Sequence, residues 1–381
     1  MSRGWPSAGR PWRLISDDGA SAAGGLALDE ALMAGYARGE PDRLPTLRLY
    51  TYQTHCALIG RYQNLAAEVD LDACAATGTP VSRRPTGGGA IIMGDGQLGV
   101  ALVAAAPPDL RPREIIADLA SGLVAGLAEL GLSAVFQGKN DLEVDGRKVA
   151  GLGLYLDPAG AMLFHASVLA DLDIEFMLRV LRVPAAKLAD KAVAAVAERV
   201  TTVTALTGRP WTGPALRPVI AAGFAAAFGA ELDPGEPTAA ERDRAAGLAA
   251  DRYASESWLA DRSAALDGSG SAAIKTPIGL ARIYLTTHGD LVKNAIVVGD
   301  FNELPAAVPD LEARLRWHRL DERTVMDAVT ASGAWEALGV PAEQLAGAVL
   351  HAGSQAADRL AAAPLRSEGS CYFPEPTASQ P

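Results

Sequence analysis

Apolar and polar positions along the chain follow two rhythms, and the switches between them mark elements. From Leu47 onward, "LRLYTYQ" and "CALIGRY" alternate or run apolar with aromatic and β-branched residues, which predicts strands. "EVDLDACAATG" has helical spacing and stops at Gly78, a residue suited to a left-handed helix end. After "PVSRRP" and a run of three glycines, "LGVALVAA" reads as a strand and "EIIADLASGLVAGLAELG" as a helix. Asp145-Gly146 is a two-residue hairpin turn between "DLEV" and "RKVAGLGLYL", and "AMLFHASVLADL" is one more strand. Strands joined by hairpins and interrupted by helices predict an α+β fold, a largely antiparallel β-sheet flanked by helices.

Between about 225 and 272 the texture changes. "ELDPGEPTAAERDRAAGLAADRYASESWLADRS" is charged and alanine-rich, as on a surface helix, and "LDGSGSAAIKTP" gathers Gly, Ser and Pro like a connector. "GLARIYLTTHGDLVKNAIVVGDF" then reads as a hairpin turning at Gly289-Asp290, followed by helices near 308–317 and 321–331. The expected layout is a main domain over 1–264, a linker over 265–276, a small α+β C-terminal domain over 277–366 and a frayed tail over 367–381.

Composition narrows the class. The chain has 381 residues, nearly half of them apolar, which is enough for two cores. Its longest apolar runs are too short to span a bilayer, so no membrane partner is expected. The basic residues near Met1 are not followed by an apolar core, and no secretory signal is expected. Cys56, Cys74 and Cys371 are too few and too scattered for a disulfide framework or a zinc site, which points to a cytoplasmic setting. A net charge of −11 argues against nucleic acid as a partner. Basic islands in an acidic chain suit a compact anion held in a pocket. A monomer is expected.

Two of these islands carry the candidate chemistry. "RRPTGGGAI" places Arg83 and Arg84 before Gly87, Gly88 and Gly89. Glycine N–H groups with no Cβ around them can converge on an anion, and guanidinium groups add charge and bidentate geometry. Alone, such a loop is more often a flexible turn. "GKNDLEVDGRK" puts Asn140, Asp141 and Lys148 across one tight hairpin, with Asn140 and Lys148 on opposite arms. An amide, a carboxylate and an ammonium there suit a nucleotide phosphate with its metal. A Walker-type phosphate loop is absent, and "GLGLYL" lacks the third glycine of a dinucleotide fingerprint.

Taken together, the segments resemble the lipoate–protein ligases, within the superfamily that also holds biotin ligases and octanoyltransferases. "LALDEAL", "LRLYTYQTHCALIGRYQN", "EVDLDAC", "RRPTGGGAI", "GKNDLEVDGRKVAGLG", "HASVLADLD" and "ERVTTV" come in the family's order, and "IYLTTHGDLVKNAIVVGDF" resembles the ligases' accessory domain. The resemblance implies that lipoate and MgATP form lipoyl-adenylate, which then acylates a lysine of a lipoyl-carrier protein. It implies that Lys148 is catalytic. Arg83 or Arg84, Thr86, Gly87, Gly88, Gly89 and Ala90 would border the acyl-adenylate. Asn140 would hold phosphate, Asp141 Mg²⁺, and Gly151 and Gly153 would let a strand lie close to the ligand. His165 would run under the acyl chain, with a core histidine as the equal alternative. Asp29 and Glu30 are expected to be structural, Arg61 and Asn64 to border the pocket or pack, and Arg199 to fix a helix end.

The chain departs from the family after the glycines. Where an aromatic-His-Asp stretch is common, it reads "IIMGDGQLG", with Met93 at the histidine position. Methionine is apolar and adaptable, so the acyl pocket is expected to soften there. Octanoyl transfer through a cysteine thioester is the rival activity, weakened by the lack of any cysteine between Cys74 and Cys371. A biotin ligase lacks its loop here. A non-catalytic carrier-binding protein would keep the fold without the chemistry.

Overall fold

The computed structural model describes residues 11–36, 43–107, 110–138, 140–182, 193–194, 196–263 and 269–362. The tail expected over 367–381 lies outside them. Contacts divide the chain into two units: residues 1–263 with 299–303, and residues 264–298 with 304–381.

The first unit is built on strands β1 (Trp12–Ala20), β2 (Thr46–Tyr52), β3 (Cys56–Ile59), β4 (Val81–Arg83), β5 (Ile91–Met93), β6 (Gln97–Ala105), β7 (Val135–Gln137), β8 (Asp141–Val144), β9 (Arg147–Leu156), β10 (Ala161–Leu169) and β11 (Leu232–Pro234). Eight of them form one sheet in the order β11-β1-β2-β6-β10-β9-β8-β7. Pairing is parallel from β11 through β1 to β2 and antiparallel across the rest, the mixture expected of an α+β fold. A second sheet, β4-β3-β5, carries the segments that flank the glycine loop.

Helices cover both faces of the large sheet. Pro112–Ala128 and Gly213–Phe228 pack on one face around Leu123, Ile220, Phe224 and Trp12, all fully buried. Their contact is close because Gly122, Gly126 and Gly223 carry no side chains: a Cβ on Gly223 would lie 2.3 Å from the Gly122 carbonyl. Ala22–Met33 lies on the other face, capped by Ser21, whose side chain accepts from the Gly24 N–H. Burying that apolar surface is the main source of stability for the sheet.

The hairpin at Asp145-Gly146 forms as expected, with both residues at positive φ, 52° and 72°, the geometry of a two-residue turn. Gly78 likewise ends the helix Leu71–Thr77 in the left-handed conformation. The second unit is a three-stranded sheet, β12 (Gly270–Thr276), β13 (Gly279–His288) and β14 (Leu291–Gly299), with helices Ala307–Leu315, Glu322–Ser332 and Ala342–Ala362. The stretch read as a connector therefore includes a strand. Gly270 is needed there for packing, not flexibility: a Cβ would meet the Ala352 carbonyl of the long helix at 1.8 Å. Among the described residues no helix is long and apolar enough to cross a membrane.

Candidate active site

Strand register lays down the floor of the site. Ser167 of β10 lies between Gly151 of β9 and Gly99 of β6, and His165 lies between Gly153 and Ala101. Side chains alternate across a sheet, so these small residues share one face and leave a low lane across the strands. Tyr50 of β2 pairs with Gly99, and a Cβ on that glycine would press into its ring at 2.9 Å. Above the lane is a cavity of about 250 Å³.

Most of the residues singled out from the sequence meet in this cavity. It is lined by Arg84 and Thr86–Ala90 of the glycine loop, Asn140 and Lys148 of the hairpin, Gly151 and Gly153, and His165. The remaining wall is largely apolar: Leu26, Tyr50, Tyr52, Leu58, Met93 and Met177. The lining therefore combines polar and cationic groups with a large apolar surface, which fits an amphipathic acid.

Lys148 is held from both sides. Its N–H donates to the Arg199 carbonyl (2.9 Å), and its own carbonyl accepts from the Thr201 N–H (2.8 Å), so the "RVTTV" segment clamps its backbone. Its Nζ lies 2.6 Å from Asp141 Oδ1, with both side chains about one-third exposed. A Cβ on Gly151 would come within 3.1 Å of that ammonium. A bulge between Leu142 and Glu143 and the bond from the Leu152 N–H to the Asn140 carbonyl (2.7 Å) turn Asn140 toward the glycine loop.

The glycine loop differs from the expectation in what its bare backbone touches. Gly88 N–H donates to the Phe301 carbonyl at 2.9 Å, and a Cβ on Gly87 would lie 1.9 Å from that same oxygen. Gly60, not noted from the sequence, is required because a Cβ there would lie 1.9 Å from the Gly88 carbonyl. Only at Gly89 would a Cβ find open space. Glycine at 87 thus admits another stretch of main chain, and Gly89 is the member of the trio with free room beside it.

Both arginines are structural anchors in this arrangement. Arg84 donates to the carbonyls of Leu58, Gly87 and Gly89, fixing the loop's shape, and burial lowers its pKa to about 10. Arg83 is fully buried and does not line the cavity. Its guanidinium is spent on the carbonyls of Gly60, Arg61, Gln63, Trp258 and Leu259, which corrects its expected place beside a ligand. Asp141 does not line the cavity either; it acts on it through Lys148. Arg61 pairs with Asp261 and lies over the Trp258 ring, and Asn64 caps the helix Leu65–Glu68, so neither borders the cavity.

Beneath the cavity lies a charged network that sequence reading reduced to a structural helix. Asp29, with no exposed surface, accepts from Arg48 Nη1 (2.7 Å), from the Tyr50 hydroxyl (2.9 Å) and from His165 Nε2 (2.8 Å). An ionised carboxylate only accepts, so Nε2 of His165 carries the proton. Burial alone would raise the Asp29 pKa; Arg48 and His165 outweigh it and hold the carboxylate below its usual range. Arg48 also pairs with Asp17 at 2.6 Å and lies over the Tyr50 ring. The spacing of "LRLYTY" signals this network only weakly, because alternation cannot distinguish a cavity wall from a core.

Neither described cysteine reaches the cavity wall. Cys56 is buried in β3, where desolvation pushes its thiol up to about 12, and burial raises the thiol of Cys74 as well.

Residues 21–225 match the family model described as lipoyl protein ligase A/B catalytic domain. The octanoyltransferase LipM of Symbiobacterium thermophilum is 33% identical over 272 residues, covering 65% of this chain and 97% of that protein. Among solved structures, a bipartite lipoate protein ligase studied with its E2 lipoyl domain, from Thermoplasma acidophilum, superposes with a TM-score of 0.59 at 28% identity. It covers 66% of this chain and 96% of its own. A lipoate-protein ligase A bound with ATP gives a TM-score of 0.58 at 26% identity, covering 66% and 98%.

Proposed function

The chain belongs to the lipoyl protein ligase A/B catalytic family, an enzyme family, and from that premise we propose that it is an ATP-dependent lipoate–protein ligase. A carboxylate oxygen of the acid attacks the α-phosphorus of ATP, the bond to the bridging oxygen breaks, and pyrophosphate leaves. A carrier lysine amine then attacks the acyl carbon, the bond to AMP breaks, and the amine's proton is lost to solvent. Lys148 is the catalytic residue: its ammonium stabilises charge on the phosphoryl oxygens in the first step and on the acyl oxygen in the second. Asp141 keeps that ammonium aimed. Asn140 and the Gly89 backbone contact the phosphate end, while the Tyr50–Met93 side of the cavity takes the hydrocarbon chain and excludes water from the anhydride.

A magnesium ion fits this donor set only as ATP's companion. No group of three or more His, Cys, Asp or Glu side chains among the described residues could hold a metal, and Asp141 is already paired with Lys148. One carboxylate with substrate phosphates and waters is a sufficient shell for Mg²⁺, whose chemistry is to neutralise phosphate charge.

The observation that carries this reading is the cavity itself: Lys148 and the glycine loop share it with an apolar wall, and no cysteine is among the described residues that line it. Octanoyl transfer is the second reading, favoured by the identity with LipM across nearly all of that protein. A thioester route needs an accessible thiolate, and Cys56 and Cys74 are buried and raised. To decide, the full chain is incubated with a lipoyl-carrier domain and lipoate, with and without MgATP, or with an octanoyl thioester donor. Mass added to the carrier only with MgATP supports the ligase. Mass added from the thioester without ATP overturns it.

A further inference from the structure

We propose that Met93, tethered by Ser167, is a specificity-determining residue that helps the cavity accept both a straight alkyl chain and a chain ending in a wider sulfur-bearing ring. This rests on the reading that the cavity's apolar wall holds the acyl chain.

The aromatic side chains of the wall near Met93 are pinned. Tyr50 is tied by its hydroxyl to Asp29 and covered by Arg48 at 3.8 Å. Tyr52 packs edge-on against Tyr50, with ring centroids 5.5 Å apart. His165 is fixed by Asp29. Met93 is 3% exposed, packs in an apolar cluster with Leu26, Tyr52 and Leu58, and its thioether accepts from the Ser167 hydroxyl at 3.0 Å. A thioether is a weak acceptor, and its unbranched chain has three soft torsions, so this part of the wall can yield without leaving a hydroxyl stranded at high cost.

The backbone beneath it cannot yield. Met93 pairs with Cys56 in the β3–β5 ladder. The next residue is Gly94, where a Cβ would strike the His55 ring at 2.5 Å, and that ring is stacked near Phe176. The strand is thus held in its ladder, and of its three cavity-lining residues, Ile91, Ile92 and Met93, only Met93 is unbranched. On this strand, adaptation to chain width falls to Met93.

The test uses the full chain and titration calorimetry with octanoate and with lipoate. Wild type is expected to bind the two acids within about threefold of each other. Met93→Ile, stiff and branched, should weaken lipoate by about tenfold or more and octanoate by less than about threefold. Met93→Leu, nearly volume-conserving and easier to fold, should move the ratio the same way by a smaller factor. Equal weakening of both acids by either variant, or an unchanged ratio, overturns the assignment. A wild type that already prefers one acid by far more than about tenfold also overturns it. Carrier acylation is measured in parallel. If both acids bind but MgATP gives no acylation, the ligase reading fails while the Met93 ratio still decides this proposal. If neither acid binds, both fall.

Discussion

At the scale of single residues, the proposed activity asks one side chain to act and others to hold. Lys148→Ala should abolish carrier acylation, a loss of at least about a hundredfold, because no other lysine among the described residues lines the cavity to meet the developing charge. Thermal unfolding of that variant should hardly change, since a part-exposed ion pair such as Lys148–Asp141 contributes about 1 kcal/mol or less. Asp29→Ala should do the reverse in kind. It leaves the buried Arg48 guanidinium without its fully buried partner and should lower stability by about 3–5 kcal/mol in urea unfolding at pH 7. The folded-state pKa of Asp29 is depressed, so its contribution is fully present above the unfolded value near 4 and is lost as pH falls through the folded value. The gap between wild type and variant should therefore shrink on acidification. Lys148, Asn140 and the glycines were readable from two short motifs. Asp29's three partners, and Arg83's turn away from the cavity, were not, because each depends on contacts between segments far apart in the chain.

At the scale of elements, local signals were reliable where the chemistry is local. Asp145-Gly146 and Gly78 announce their geometry through the rare backbone angles they must adopt. The strand Trp12–Ala20 and the helix Ala342–Ala362 were missed: the first has an irregular burial pattern, and alanine-rich turns blur the second. The three glycines are alike in sequence and unlike in space, which gives a sharp prediction. Gly87→Ala drives a Cβ into the Phe301 carbonyl and should cost both stability and activity. Gly89→Ala meets open space and should keep the melting temperature while weakening acid or nucleotide binding. Calorimetry and ligand titration of the pair distinguish the roles. A second element-level device is Glu241, which caps its own helix through Thr238 and takes a two-pronged bond from Arg13 on β1. Burial would raise its pKa, but Arg13 and the helix N–H groups bring it down to about 2. Glu241→Gln should destabilise by on the order of 2 kcal/mol at pH 7, the difference fading as pH drops from about 4.5 toward 2.

For the whole molecule, the chain divides after Ser263, beside its glycine- and serine-rich stretch, but not by a single cut. Residues 299–303 return to the first unit, where Phe301 is fully buried and its carbonyl receives the Gly88 N–H. A chain ended at Ser263 should therefore melt lower than the full chain and bind acid poorly, and scanning calorimetry checks this. Periodicity could not show that return, because it places residues in elements and not elements against each other. The proposed ligase activity requires Lys148 to help activate an acid with ATP inside this one cavity. Its most direct test is pyrophosphate release by the purified protein, measured with ATP alone, lipoate alone and both together, before any carrier is added. Release that needs both, and that Lys148→Ala eliminates, is the predicted result. No release with both present, alongside octanoyl transfer from a thioester donor without ATP, would contradict it.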